Sequence, residues 1–197
     1  MLKVTSIVIA LFLLMGIIMS FASKRKTERQ AYRLVKKLNG MEIRFYPRAL
    51  MATVTEKPGS YMEHSNSMFR SLASYIFGGN AKNEKIAMTA PVHVERDSLN
   101  TRMSFVMPSN LSMEQLPQPS NGNIALHYSE EAYYAVMDFG GYANESKIQK
   151  TEEKLRKALQ ESGIPYSGAF KYLGYNAPWD FINRENEVLV KINYTEQ

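Results

Sequence analysis

One order of elements, strand, helix, strand, strand, can be read twice along this chain, and that recurrence limits the fold more than any other feature. The first copy opens at residues 41–56, MEIRFYPRALMATVTE, rich in β-branched and aromatic residues. Pro47 interrupts it, so it reads as two strand pieces or one strand with an edge break. A helix follows. Ser60 and Glu63 have capping-box spacing, Pro58-Gly59 supplies the turn before them, and Gly78-Gly79 supplies the stop. Tyr61, Ser65, Met68, Leu72 and Ile76 fall on one stripe, widened by Phe69, so one helix face is expected to be buried. Residues 86–94 and 103–107 then give two strand signals around the polar turn Asp97-Ser98-Leu99-Asn100.

Pro108, Pro117 and Pro119 mark a linker of about a dozen residues, after which the order recurs. Residues 124–139 read as a strand hairpin. Residues 145–162 read as a helix, with Ile148, Glu152, Leu155 and Leu159 at helical spacing and Gly163-Ile164-Pro165 as its stop. Residues 169–175 and 187–194 read as two strands. The helix stops Gly78 and Gly163 lie 85 residues apart. The expected fold is α+β: a distorted antiparallel β-barrel of two pseudo-twofold-related strand-helix-strand-strand repeats, with two helices packed outside. At 197 residues and 45% hydrophobic, the chain has material for one such domain with a real core.

Ahead of the fold, residues 4–23 form a run of 20 positions without a charge. As a helix the run is about 30 Å long, enough to cross a bilayer. One reading is a signal peptide, with Ser20-Phe21-Ala22 offering small residues at the cleavage positions. The other is an uncleaved anchor, held at its end by Lys24-Arg25-Lys26. The anchor is favoured because the run is full length and basic residues directly follow the possible cut. A buried core helix is disfavoured because no face of the run is polar. Residues 1–23 are thus expected to be a membrane anchor or signal peptide, 24–38 a basic linker, and 39–197 the folded domain. On the anchor reading the domain is tethered by a single N-terminal helix; on the other it is exported after cleavage.

Charge and cysteine content narrow the function. The chain carries a net +5, but residues 30–197 carry only +1, so the folded part lacks the basic footprint that neutralises phosphates and no nucleic-acid partner is expected. With no cysteine there is no disulfide, zinc knuckle, iron–sulfur cluster or thiolate-ligated haem. His64, His93 and His127 stand apart with no carboxylate or second histidine at ligand spacing, so no metal site is expected. No G-x-S-x-G, H-E-x-x-H, phosphate-binding glycine loop or G-x-G-x-x-G occurs, and no catalytic residue is expected. The chain has 12 methionines, seven of them (Met41, Met51, Met62, Met68, Met88, Met103 and Met107) in the first half of the domain. Most are expected to fill the core, yet the thioether also suits a groove that accepts a large flat ligand. Tyr61, Phe69, Tyr75 and Phe77 share the first helix, so the region beside it is the best candidate apolar pocket.

Several separated blocks then fall in a recognisable order: Tyr75-Ile76 with Gly78 and Asn80, KIAMTAPV at 85–92, FVMP at 105–108, Phe139-Gly140-Gly141-Tyr142, Gly174-Tyr175-Asn176 with Pro178, and Arg184-Glu185-Asn186-Glu187-Val188. Together they resemble the SOUL haem-binding family over about residues 32–194, and the chain is also similar to small-molecule effector-binding domains of the gyrase-inhibitor type. The resemblance implies a doubled barrel with two helices, and non-catalytic binding of haem or another tetrapyrrole in a shallow apolar groove beside the first helix, for transport, buffering or delivery. On that reading the binding residues are Met62, His64, Met68, Phe69 and Arg70. Some members place a histidine before the first-strand tyrosine, whereas Phe45 precedes Tyr46 here. Where relatives place basic residues on the helix this chain has Asn66 and Ser74, leaving Arg70 as the nearby cation. Binding is therefore expected to be mainly apolar, without a strong axial ligand. Thr89, Pro91, Asn176 and Pro178 are expected to serve turns, edge breaks and buried hydrogen bonds. Two other functions are consistent with the residues. One is an effector module whose cavity attracts a cationic aromatic ligand through Glu187, Tyr175 and Trp179. The other is a tetrapyrrole-modifying enzyme using His64 or Glu63 as proton donor.

Overall fold

The computed structural model describes residues 27–176, 180 and 183–196. The elements in order are β1 (Glu28–Arg29), β2 (Arg33–Leu38), β3 (Met41–Tyr46), β4 (Leu50–Glu56), α1 (Ser65–Ile76), β5 (Thr89–Ala90), β6 (Val92–Arg96), β7 (Thr101–Val106), β8 (Ile124–Tyr128), β9 (Ala132–Gly140), α2 (Glu145–Glu161), β10 (Tyr166–Gly174) and β11 (Glu185–Ile192). Pro47 breaks residues 41–56 into β3 and β4 as the sequence suggests. Pro91, after a cis Ala90–Pro91 bond, separates β5 from β6.

Nine strands form one antiparallel sheet in the order β2-β3-β9-β11-β10-β6-β7-β4-β8, and β1 pairs β5 in parallel beside it. The α+β class is as expected, but the barrel is not: the sheet is open, with β2 and β8 at its two edges. It is strongly curved nonetheless. Tyr46 and Leu50 join strands near opposite ends of the sheet, as do Tyr128 and Ala132, and four peptide links reach at most ~14 Å. Closure fails because β2, expected as linker, is an edge strand whose exposed Arg33, Lys36 and Lys37 discourage a further ladder. The expected hairpin over 124–139 is also absent. β8 pairs β4, while β9 pairs β3 and β11, because the curvature lets a short turn join strands that are not neighbours.

Strict alternation sorts side chains between the two faces. Leu50, Ala52 and Val54 of β4, Met103 and Phe105 of β7, and Val188, Val190 and Ile192 of β11 point to one face. There they meet Met68, Leu72, Tyr75 and Ile76 of α1 and Ile148, Leu155, Ala158 and Leu159 of α2 in one core. α2 starts as a helix should: the Asn144 side chain accepts the Lys147 N–H at 2.9 Å, and Glu145 sits in the first turn. It ends at Gly163, whose φ of +65° lets the Ile164 N–H return to the Leu159 carbonyl. α1 starts later than the capping box predicts. Ser60 and Glu63 do bond reciprocally, but they close the turn at 61–64. Ser65 and Ser67 then bond back to the carbonyls of Met62 and His64, hydroxyl contacts that compete with helix propagation at that point.

Among the described residues no helix is long and apolar enough to cross a membrane. The apolar run at 4–23 lies outside the described residues.

Candidate functional site

Two of the molecule's concavities lie on opposite sides of the sheet. The first follows the C-terminal half of α1. Phe69, Ala73, Ile76 and Phe77 form one wall; Ala87, Met88, Thr89 and Ala90 form the other; Phe105, Val106 and Met107 lie below. The helix stop builds it. With φ of +111° at Gly78 the chain turns back, the Ile86 N–H bonds the Ile76 carbonyl at 2.8 Å, and Met88 is carried alongside Phe77. Thr89 donates to the Val106 carbonyl at 2.5 Å, pinning that strip, and Phe69 meets Phe105 edge-on at 5.4 Å. Phe77 remains 54% exposed and Met88 43%. The enclosed volume is about 160 Å³, below the roughly 300–1,000 Å³ of sites that engulf a small molecule, so a large ligand would lie across this groove.

Thr27, Arg29, Gly174, Tyr175 and Asn176 complete the rim. The parallel β1–β5 pair brings Arg29 here, where it stacks over the Tyr175 ring at 5.0 Å and bonds Glu185 at 2.7 Å. The sequence marks residues 24–38 as linker, so this cation is not among the predicted binding residues.

Of those five, Phe69 lines the groove. Met68 does not. One residue is a 100° step on a helix, and that step puts Met68 in the core at 0% exposure. Met62 is exposed in the turn before α1, and His64 precedes the helix with its imidazole 3.8 Å from Glu63, both at the end of α1 away from the groove. The acid–base pair of the enzyme reading therefore lies apart from the apolar surface. Arg70 is exposed and does not line the groove. Met88 and Met107 belong to the methionine-rich half already singled out, but their place on the rim depends on how the chain turns at Gly78.

The second concavity, about 480 Å³, lies on the face away from the helices. The alternation that sends Ala52, Val94, Met103 and Val190 to the core sends Met51, Thr53, His93, Glu95, Arg102, Ser104, Leu189 and Lys191 here. Ionic groups in its wall are matched. Glu95 receives Arg102 at 2.6 Å and Lys171 at 2.7 Å, and Lys191 bonds Glu130 at 2.7 Å. Burial, reinforced by the Lys171 charge, pushes the His93 imidazole down to about 3, and the neutral ring bonds Gln30 at 2.8 Å.

Glu187 lies on the same strand face. Arg44, itself only 5% exposed, reaches it through two bonds of 2.9 and 3.1 Å, and the Tyr175 hydroxyl donates at 2.6 Å. Burial and the nearby Glu187 charge hold the phenols of Tyr46 and Tyr175 well above their usual range. The charge that the effector reading would offer a cationic ligand is already taken by Arg44. Trp179 lies outside the described residues.

The remaining blocks are structural. Buried Asn80 donates to the carbonyls of Tyr75 and Glu84 and accepts from the N–H groups of Lys82 and Glu84, fixing the loop after α1. Asn186 donates to the carbonyls of Phe139 and Gly141, joining two blocks distant in sequence. Asn176 accepts the Glu185 N–H at 2.6 Å. Pro178 lies outside the described residues.

Comparison with known proteins agrees with this architecture. The family model described as "SOUL heme-binding protein" matches residues 27–191. Human "Heme-binding protein 2" is 31% identical over 155 residues, which cover 75% of each chain. Among solved structures, the EcmrR C-terminal domain superposes with a TM-score of 0.60 at 8% identity, covering 83% of this chain and 99% of that one. A protein described as a hydrolase from Listeria innocua does so with a TM-score of 0.57 at 11% identity, covering 80% and 94%. At such identities the two structures share the fold alone.

Proposed function

The chain belongs to the SOUL heme-binding protein family, and from that premise we propose that it binds haem or a related tetrapyrrole as cargo, without catalysis, in the apolar groove beside α1. The observation that carries this reading is the pair of large apolar side chains, Phe77 and Met88, both left exposed on the lining of one apolar groove. Covering such a patch with an apolar surface gains about 2.5 kcal/mol per 100 Å² removed from water, and a flat macrocycle has that surface. Arg29 stands at the rim to meet a propionate by exchanging Glu185 for it. Among the described lining residues there is no imidazole, and the side chains of a type that ligates haem iron are Met88, Met107 and Tyr175, so the reading rests on apolar contact with the macrocycle.

The reading includes a membrane. Thr27 lines the groove only a few residues after the apolar run at 4–23 and its basic flank, so a tether there would deliver ligand at the bilayer surface, in transport, buffering or hand-over. Alkaline washing of membranes tests the tether: the full-length chain stays with the pellet, whereas release into the supernatant discards it. We also read the halves as copies of one unit, β3 answering β8, β4 answering β9, β6 answering β10 and β7 answering β11. Superposition of residues 41–107 on 124–194 tests that.

Titration of the purified chain with haemin and with metal-free protoporphyrin tests the binding mode. The two affinities should agree within tenfold, about 1.4 kcal/mol. A low-spin, doubly ligated haemin spectrum that disappears in His64→Ala would show that ligation to iron, and not the groove, holds the ligand.

A further inference from the structure

We propose that the cavity on the sheet face away from the helices is a second, separate ligand site, and that it takes a small aromatic carboxylate whose anionic group replaces Glu130 on Lys191. At about 480 Å³ the cavity has the size of a small-molecule site, and it is three times the volume of the groove. Its charge arrangement selects the sign of the ligand. Glu95 is neutralised from both sides, by Arg102 and Lys171, and Glu187 by Arg44, so a cation entering here meets no carboxylate that lacks a counter-charge.

Lys191 is different. Among the described residues its one ion-pair partner is Glu130, from the β8–β9 turn, whose side chain is 78% exposed. An exposed pair of this kind is worth about 0–1 kcal/mol, so a ligand carboxylate exchanges with Glu130 at little cost, and Glu130 returns to water. The exchange displaces the more exposed partner and leaves the count of charges around Lys191 unchanged, whereas an ammonium taking the place of Lys191 would have to pair with the exposed Glu130, close to the Lys171 charge.

The rest of the wall suits an aromatic body bearing a hydroxyl. The rings of Tyr46 and Tyr134 meet edge-on at 5.5 Å, and with Met51 and Leu189 they offer apolar contact. Beside Met51 on the same strand, Thr53 Oγ lies 2.7 Å from Ser104 Oγ and 2.8 Å from His127 Nε2. That hydroxyl chain can give or accept a hydrogen bond by rotating its protons, without burying a charge.

Calorimetric titration of the full-length chain with 6-hydroxy-2-naphthoate tests the site, with the corresponding naphthylmethylammonium ion as its cationic counterpart. The carboxylate should bind saturably and at least tenfold tighter than the ammonium. Lys191→Gln, a change at a partly exposed position, should weaken the carboxylate at least tenfold and leave haemin affinity unaltered. Haemin should not displace the carboxylate. No saturable binding, tighter binding of the ammonium, or carboxylate binding that is indifferent to Lys191→Gln and lost on adding haemin would each overturn the proposal, and the last would move the ligand to the groove. The haem reading stands or falls separately, because it rests on the helix-side groove.

Discussion

The two faces of the sheet are built from alternate residues of the same strands, yet two helices pack on one and neither helix packs on the other. On the helix side, small and aliphatic residues such as Ala52, Val94, Ala135 and Val190 let α1 and α2 settle directly onto the strands, leaving a shallow groove where α1 ends and an open hollow beside Glu152 and Arg156 of α2. On the other side, residues of longer and more polar type hold one another through ion pairs and hydroxyl bonds and keep about 480 Å³ open. Alternation therefore decides more than what is inside. It separates an apolar groove from a cavity whose charged groups are already paired with one another.

The largest expected effect tests that matching. Arg44→Met leaves Glu187 buried without its counter-charge and should cost about 3–5 kcal/mol of unfolding free energy, read from urea denaturation. The double variant Arg44→Met, Glu187→Met should recover most of the loss. A single variant within 1 kcal/mol of native would mean, on the scale of a surface pair, that Glu187 is solvated and that the hollow face is not electrostatically matched.

Next comes the support of the groove. Asn80→Ala strips four hydrogen bonds from the loop that turns residues 85–90 back along α1, and should lower stability by about 1–3 kcal/mol and weaken haemin binding with it. Unchanged stability would show that the loop does not depend on that side chain.

A smaller, pH-dependent effect belongs to the hollow face. His93 is neutral in the fold down to about pH 3 but titrates near 6.5 when unfolded, so between those values the unfolded chain binds the extra proton. Stability is full above 6.5 and falls as pH drops, by up to about 1.4 kcal/mol per unit from this group. His93→Gln should flatten that slope, and an identical slope in the variant would assign it to other groups. The smallest effect is at the rim. Arg29→Gln removes an exposed pair with Glu185, and should change stability by less than about 1 kcal/mol and haemin affinity by less than tenfold.

Local chemistry was legible in the sequence, and non-local pairing was not. The stripe Met68, Leu72, Ile76 and the glycine stops locate both helices because helix period and left-handed caps are properties of neighbouring residues. The partner of β8 is β4 and not the adjacent β9, and nothing in the period of residues 124–139 distinguishes those outcomes. β2 reads as linker because its charges suit water, which an edge strand also meets on its open side. The candidate site divides in the same way. Phe69 could be found from its helix, but Met68 and Phe69 are both apolar and one step apart, so only the packed structure separates core from groove. Arg29 reaches the rim through the β1–β5 pair, a contact between segments 61 residues apart by its Arg29↔Ala90 register.

Haemin titration of the native full-length chain beside Phe77→Glu and Lys191→Glu asks most directly which face carries the tetrapyrrole. Phe77 is already exposed, so the glutamate leaves the fold intact while placing a charge against the macrocycle and its propionates. The account predicts at least a tenfold loss of haemin affinity in Phe77→Glu, an unchanged denaturation midpoint, and native affinity in Lys191→Glu. Affinity that survives Phe77→Glu and collapses in Lys191→Glu would place haem in the hollow face and contradict the assignment to the groove.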